Sequence, residues 1–257
     1  GTLGGMSSYA NDINNIGQIV GYSDSSSGNS NAFVYDINTH SMTSLGTLGG
    51  SNSYAYNIND QSQIIGFSNT IANDMAFIYD YSSPSPILSG LGTLGGLTSY
   101  AMGINELGEV VGYSNIPDGT HRAFQYDSLS PVPAMTNLGT PGGNYSYGYA
   151  INDVGQVVGY DYTSASRART AFLFDGESMQ SIGTLGGRDS YATGINNDGK
   201  IIGYSTTYTG ILNAFLYDSS QEDPEMINIG TLGKNSYAYG INELSQIVGT
   251  SYTLENE

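Results

Sequence analysis

The sequence predicts an all-β chain, a β-propeller of about six four-stranded blades with one blade incomplete at the chain termini, and three observations carry that expectation. One phrase recurs: Gly-Thr-Leu-Gly-Gly, then Ser-Tyr-Ala-x-x-Ile-Asn, then Gln-Ile-Val-Gly-Tyr-Ser, then Ala-Phe-x-Tyr-Asp. Its opening glycine falls at Gly1, Gly46, Gly92, Gly139, Gly183 and Gly230, a period of 44 to 47 residues. A period in this range marks one supersecondary unit stacked repeatedly. Second, each unit holds four short segments with apolar side chains on both faces. Such sheets need neighbours on both sides, which radial blades supply and a two-layer sandwich does not. Third, no segment keeps a 3.6-residue apolar period for three turns, so no helix competes. A β-solenoid is the structural rival.

The elements follow in order along the first unit. Ser8 to Asn14 reads as a strand, with Tyr9 and Ile13 placed on one face by their four-residue spacing. Asn14-Asn15-Ile16-Gly17 is turn chemistry, the Asn starting an Asx-type turn and Gly17 supplying a positive φ. Gln18 to Ser23 is the return strand, Ala32 to Asp36 a third, and Met42 to Leu48 a fourth. The repeated Gly21, Gly66, Gly112, Gly159, Gly203 and Gly249 fall in mid-strand. Glycine there weakens a strand unless a neighbour needs the space, so a packing rule of the repeat is expected.

The unbroken repeat predicts a single domain over 1–257, divided as 1–45, 46–91, 92–138, 139–182, 183–229 and a partial 230–257. The Tyr-Ala strand occurs six times but the Ala-Phe strand only five, because the Phe after Ser251 would fall past Glu257. The sixth unit therefore lacks its Phe strand, and the two termini are expected to meet there.

Composition narrows the function. The chain of 257 residues is 39% hydrophobic and 11% charged, with 36 glycines, 22 tyrosines, no cysteine and no tryptophan. Without cysteine there is no disulfide framework or thiolate chemistry. The net charge is −17, and residues 1–121 carry nine acids and no Lys or Arg. Such a surface repels phosphate, so no nucleic acid is expected as partner. No run of 18 apolar residues exists, so no membrane insertion is expected either. Acidity, scarce lysine and abundant Ser, Asn, Gly and Tyr predict an extracellular or cell-surface protein. The start at Gly1, inside a phrase and without Met, reads as a processed or truncated segment.

The runs Ile151–Tyr160, His121–Asp127 and Leu45–Gly50 carry a wider likeness. Together they resemble the HAF-repeat family of bacterial extracellular repeat proteins, across essentially the whole chain. The family's name triplet is departed from, since Asn31, Met75, Arg122, Thr170 and Asn213 precede Ala-Phe here. The resemblance implies secretion or surface display and carries over no catalytic residue.

Candidate chemistry is sparse. His40 and His121 are the two histidines, and neither sits in a pattern that supports nucleophilic catalysis. Asp36, Asp80, Asp127, Asp175 and Asp218 end the Phe strands. A ring of them on one rim is a candidate calcium site, while Asp-x-x-Ser/Thr is equally turn chemistry. No other cofactor is expected. The loops before the Phe strands vary most and should carry function on one rim. His121, Arg122, Arg167 and Arg169 cluster there in neighbouring blades. With Tyr162 for stacking, they are the candidate ligand-binding residues for an anionic group, or else partners of local acids such as Asp118 and Asp161. The expectation is a non-enzymatic binding propeller for a glycan or other polar ligand, with one shallow Tyr/Asn/Asp site per blade giving avidity. The alternatives are a structural or protein-interaction module completed by another chain, and a carboxylate-based hydrolase or lyase.

Overall fold

In the computed structural model, which describes residues 1–254, the first unit pairs β1 (Gly4–Ile13), β2 (Gln18–Ser25), β3 (Ser30–Asp36) and β4 (Ser41–Gly46) in sequence order. The same meander recurs in β5 (Ser53–Ile58), β6 (Gln63–Asn69), β7 (Asp74–Asp80) and β8 (Leu88–Gly90). A third sheet holds β9 (Ser99–Ile104), β10 (Glu109–Asn115), β11 (His121–Asp127) and β12 (Met135–Gly139). The fourth holds β13 (Tyr145–Ile151), β14 (Val157–Thr163), β15 (Ala168–Phe174) and β16 (Met179–Ser181). The fifth holds β17 (Gly186–Ile195), β18 (Lys200–Thr207), β19 (Leu212–Asp218) and β20 (Met226–Gly230). A hairpin, β21 (Gly233–Ile241) with β22 (Ile247–Thr253), forms a sixth, two-stranded sheet. No helix occurs among the described residues. Residues 255–257, including the Glu257 that ends the predicted sixth segment, lie outside the described residues. The chain divides into two compact units, one over Gly1–Asn137 and one beginning at Leu138.

The turns form as their residues dictate. Asn14 Oδ1 accepts the Gln18 N–H at 2.9 Å, and Gly17 takes φ +84°. The strand before that turn departs from the simple alternation. Tyr9 pairs with Tyr22 and Ala10 with Gly21, but Asp12 pairs with Val20 and Ile13 with Ile19. The shift between Ala10 and Asp12 sets an extra residue into β1, so Tyr9 and Ile13 lie on opposite faces and not on one. The same shift recurs in β5, β9, β13, β17 and β21. It also explains the mid-strand glycines, because the irregular strand brings a carbonyl onto them. A Cβ on Gly21 would stand 1.9 Å from the Tyr9 oxygen, and Gly66 and Tyr54 repeat the relation at 1.9 Å.

Sheets pack face to face through layers of small and branched side chains. In the first unit Val20, Ala32, Val34 and Leu45 meet Ala55, Ile58, Ile64, Phe77 and Tyr79 of the next sheet. In the second, Val158, Ala171, Leu173 and Ile182 meet Ala192, Ile195, Ile201, Phe215 and Tyr217. Each fully buried Val, Ile or Phe in these layers stabilises the fold by about 1.5–3 kcal/mol. The β21–β22 hairpin packs on the fifth sheet in the same way, with Ala238 and Ile241 against Ile202 and Ala214.

Polar bonds fix the joints. The Asn14 amide donates to the Asn59 carbonyl at 3.0 Å, and Asn59 donates to the Asn105 carbonyl at 3.0 Å. In the second unit Asn152 donates to Asn196 at 3.0 Å and Asn196 to Asn242 at 3.2 Å. The recurrent Asn is thus a turn residue and a blade-to-blade tie at once. Ser53 adds a second tie, accepting the Ala32 N–H at 2.9 Å while donating to the Gly46 carbonyl at 2.6 Å.

Candidate ligand-binding site

The fourth sheet departs from its siblings at three positions on one edge. In β13, β14 and β15 these are Tyr145, Tyr162 and Arg169, with Tyr145 paired to Tyr162 and Tyr162 to Arg169. The equivalent residues of the second sheet are Asn52, Asn69 and Asp74, which bond among themselves, Asn69 Nδ2 donating to Asp74 Oδ1 at 2.6 Å. Those of the first are Ser7, Asp24 and Ser30, with Ser30 Oγ donating to Asp24 at 3.1 Å. Where those sheets carry a self-bonded polar trio the fourth has two phenols and a guanidinium, and a cavity of 230 Å³ there is lined by Tyr145, Tyr147, Tyr160, Tyr162 and Arg169.

The strand period aligns its wall. Tyr145 and Tyr147 sit two residues apart on β13 and face Tyr162 and Tyr160 of β14. The Tyr147 and Tyr160 rings stack at 4.8 Å, and those of Tyr145 and Tyr162 lie 5.8 Å apart. The Arg169 guanidinium lies 5.4 Å from the centre of the Tyr162 ring, a cation–π arrangement. It also bonds the Tyr191 phenol and, among the described residues, takes part in no ion pair. The neighbouring acid, Asp189, is engaged by Arg188 at 2.9 Å and by the Arg169 backbone N–H at 3.0 Å. Burial pushes the Tyr147 phenol up to about 12, with Tyr160 and Tyr145 adding to the shift and Arg169 opposing it. Burial likewise raises Tyr160. At neutral pH Tyr147 and Tyr160 therefore keep their O–H groups beside the Arg169 guanidinium.

Of the five ligand-binding residues expected from sequence, the structure brings Tyr162 and Arg169 to this cavity. Arg167 is exposed in the β14–β15 turn with φ +55° and does not line it. His121 and Arg122 belong to β11 of the first unit. There the His121 ring packs edge-on against Tyr113 at 5.5 Å, and burial pushes its pKa down, so it is neutral at pH 7 and adds no charge. Of the local acids offered as alternative partners, Asp161 is in no ion pair among the described residues. Asp161 is buried and accepts N–H bonds from the Gly143 and Thr170 backbone, with its own N–H also bonded to it. Tyr145, Tyr147 and Tyr160 were missed by the sequence reading. Their signal was the alternation Tyr145-Ser-Tyr147 facing Tyr160-Asp-Tyr162.

Two further cavities are of a different kind. One of 470 Å³ lies in the first unit among Gly49 to Ser51 and Asn69 to Asp74. Its acid, Asp74, is engaged by Asn69 and by the Tyr100 hydroxyl at 2.7 Å. Another of 350 Å³ lies among Gln63, Ile78, Asp80 and loop serines. Neither is lined by a cation or a stacked aromatic pair.

The aspartates read as a calcium ring are turn residues. Asp36 Oδ1 accepts from the Asn38 N–H at 2.8 Å, Asp80 from Ser82 at 2.9 Å, and Asp127 from Leu129 at 2.9 Å. Asp175 accepts from Ser178 at 2.8 Å and Asp218 from Ser220 at 3.1 Å. The bonds from Ser178 and Ser220 hold the Asp175 and Asp218 carboxyls below their ordinary value. Among the described residues no group of three or more His, Asp or Glu is placed to hold a metal ion.

No protein-family model matches the chain. No curated protein matches it either. Among solved structures it is similar to the β-propeller domain of the Trilobed protease from Pyrococcus furiosus, described as an open velcro topology. That likeness has TM-score 0.59 and 14% identity over 95% of this chain and 76% of the other. A putative TolB from Agrobacterium tumefaciens gives TM-score 0.56 and 14% identity over 85% of this chain and 79% of the other. AofleA from Arthrobotrys oligospora gives 0.52 and 8% over 95% and 79%. At these identities the likeness shows the fold alone. The fold is a β-propeller.

Proposed function

We propose that this protein is a non-enzymatic, extracellular recognition propeller that holds an anionic, hydroxyl-bearing sugar residue in the cavity of its fourth blade. The observation that carries the reading is the placement of Arg169 over Tyr162 in a cavity otherwise walled by tyrosines. A guanidinium with no ion pair among the described residues is suited to a carboxylate or sulfate, which it binds by paired charge-assisted hydrogen bonds. Tyrosine faces stack against the C–H face of a sugar ring, and their hydroxyls meet its polar edge. At 230 Å³ the cavity is smaller than the roughly 300–1,000 Å³ of drug-sized pockets, so one compact ring is the fitting occupant. The resemblance to surface-displayed repeat proteins supports the extracellular setting. A recognition role also suits the raised Tyr147 and Tyr160 phenols, which offer no base at neutral pH.

The test is a glycan array of acidic and neutral sugars, probed with the wild-type chain and with Arg169→Ala, in calcium and again in chelator. Saturable binding to acidic sugars that survives chelation and is lost in the variant is expected. Silence of the wild-type chain on every sugar overturns the reading.

A further inference from the structure

One register position changes its chemistry from blade to blade while its neighbours repeat. Three residues before the buried Phe, Ser30 pairs with Asp24, Asp74 with Asn69, His121 with Asn115, Arg169 with Tyr162 and Leu212 with Thr206. Two residues further on, Ala32, Ala76, Ala123, Ala171 and Ala214 are all buried. The varied position opens each Ala-Phe strand beside a loop, where chemistry can change without disturbing the core. The second blade fills it with an acid, Asp74, where the fourth has a cation, Arg169. Each side chain bonds a tyrosine of the following sheet. The Tyr100 hydroxyl donates to Asp74 Oδ2 at 2.7 Å, and Arg169 bonds Tyr191.

Asp74 lines the 470 Å³ cavity with Gly49 to Ser51 and Asn69 to Asn73, all within the first unit. Its carboxylate is held at both ends, Asn69 Nδ2 donating to Oδ1 at 2.6 Å and Tyr100 to Oδ2. Two donors leave about two of its four acceptor sites open. Asp74 is in no ion pair among the described residues, and residues 1–121 contain no Lys or Arg. The Ser51 hydroxyl and the Asn73 side-chain amide make no hydrogen bond among the described residues. We infer that this cavity takes a primary ammonium group on a hydroxyl-bearing body, the chemistry of an amino sugar. The ammonium donates to Asp74, hydroxyls meet Ser51 and Asn73, and the exposed Ile71 offers C–H contact. The acidic field of the unit draws a cation in. A calcium ion asks for six to eight oxygens, whereas one carboxylate already holding two donors suits a monocation. At 470 Å³ the cavity falls within the roughly 300–1,000 Å³ of small-molecule sites. The inference stands apart from the Arg169 cavity and does not rest on it.

The test titrates glucosamine into the whole chain, in chelator, and follows backbone amides by 15N NMR. Saturable shifts centred on residues 49–51 and 69–74 are expected. N-acetylglucosamine, which lacks the charge, should bind at least about 10-fold more weakly, the factor for one lost charge-assisted hydrogen bond. Asp74→Asn should weaken glucosamine by a similar factor with an unchanged circular dichroism spectrum. Asp118→Asn makes the same change in net charge at an exposed turn and should leave the affinity unchanged. Equal binding of the acetylated sugar overturns the proposal, even where the Asp74 variant fails to fold. So do equal losses in the two variants, shifts that appear elsewhere, or no binding of glucosamine at all. Butylamine binding as tightly as glucosamine would overturn it in favour of a lysine side chain. Calcium displacing glucosamine at equal concentration would overturn it in favour of a metal site.

Discussion

The carbonyl oxygen of Tyr100 lies 1.9 Å from where a Cβ at position 112 would stand, so Gly112 is required for space. Its backbone is ordinary strand, and the irregular pairing of β9 with β10 between Val111 and Gly112 brings the oxygen there. Gly112→Ala should therefore cost about 3 kcal/mol or more, at the upper end of overpacking losses. Gly119 is the control, with φ +86° and nothing within 4 Å of a built Cβ. Its replacement by Ala should cost only about 1 kcal/mol of conformational strain. Urea unfolding of both variants checks the contrast. Equal losses would mean that the irregular strand relaxes around a methyl group.

Asn59 ties two blades through a bond whose direction matters. Its amide donates to Gln63 Oε1 at 2.8 Å and to the Asn105 carbonyl at 3.0 Å, while its oxygen accepts the Gln63 N–H at 2.9 Å. Asn59 itself is buried, so Asn59→Ala should cost about 3 kcal/mol, roughly one per lost bond. Asn59→Asp keeps the shape and the acceptor but cannot donate. It should be nearly as damaging at neutral pH and recover in part on acidification, when the carboxylic acid can donate again. Thermal melts at two pH values separate these outcomes. An Asp variant as stable as wild type would show that the blade tie is not made through that N–H.

The blade pattern was legible because the Val20-type and Phe33-type residues recur with strand spacing in every unit. What periodicity did not reveal was the extra residue between Ala10 and Asp12, since a bulge breaks alternation without leaving a mark in composition. That is why Tyr9 and Ile13 were placed on one face. Tyr162 and Arg169 stood out as departures from the repeated phrase. Tyr145, Tyr147 and Tyr160 did not, because the site depends on which residues face each other across β13 and β14. His121 is grouped with Arg122 as a candidate for an anionic group, yet burial, which no single sequence shows directly, lowers its pKa and disfavours the charged form.

Asp161 stands where the other blades have serine, and a second departure accompanies it. Ser68 Oγ accepts the Leu48 N–H at 2.9 Å and Ser205 Oγ the Leu185 N–H at 2.9 Å. In the fourth blade the leucine position is Pro141, which has no N–H to give. Burial raises the Asp161 pKa, and the backbone bonds oppose it only in part. A raised carboxyl contributes stability that is present below the unfolded value of about 3.9 and is lost as pH rises through the folded one. The double variant Pro141→Leu, Asp161→Ser removes that loss. Its stability relative to wild type should climb as pH rises from about 4, by at most about 1.4 kcal/mol per pH unit, and then level off. Denaturant titrations from pH 3 to 8 check this, and a difference independent of pH would count against the buried charge.

Arg169 is expected to act on the site's tyrosines and on its ligand in separable ways. Burial raises the Tyr160 and Tyr191 phenols, while the Arg169 charge pulls both back down. Removing the cation in Arg169→Ala should thus raise both pKa values further, because a phenolate loses its counter-charge. Arg169→Lys keeps the charge and should hold them nearer their wild-type values, as followed by 13C NMR of labelled tyrosine rings. Ligand affinity should respond differently. A carboxylate held by the planar fork loses about 10- to 100-fold in either variant, since a point charge does not reproduce the paired bonds. Lysine that restores the tyrosine titration but not the binding would locate recognition in guanidinium geometry. Lysine that restores both would reduce the role of Arg169 to charge alone.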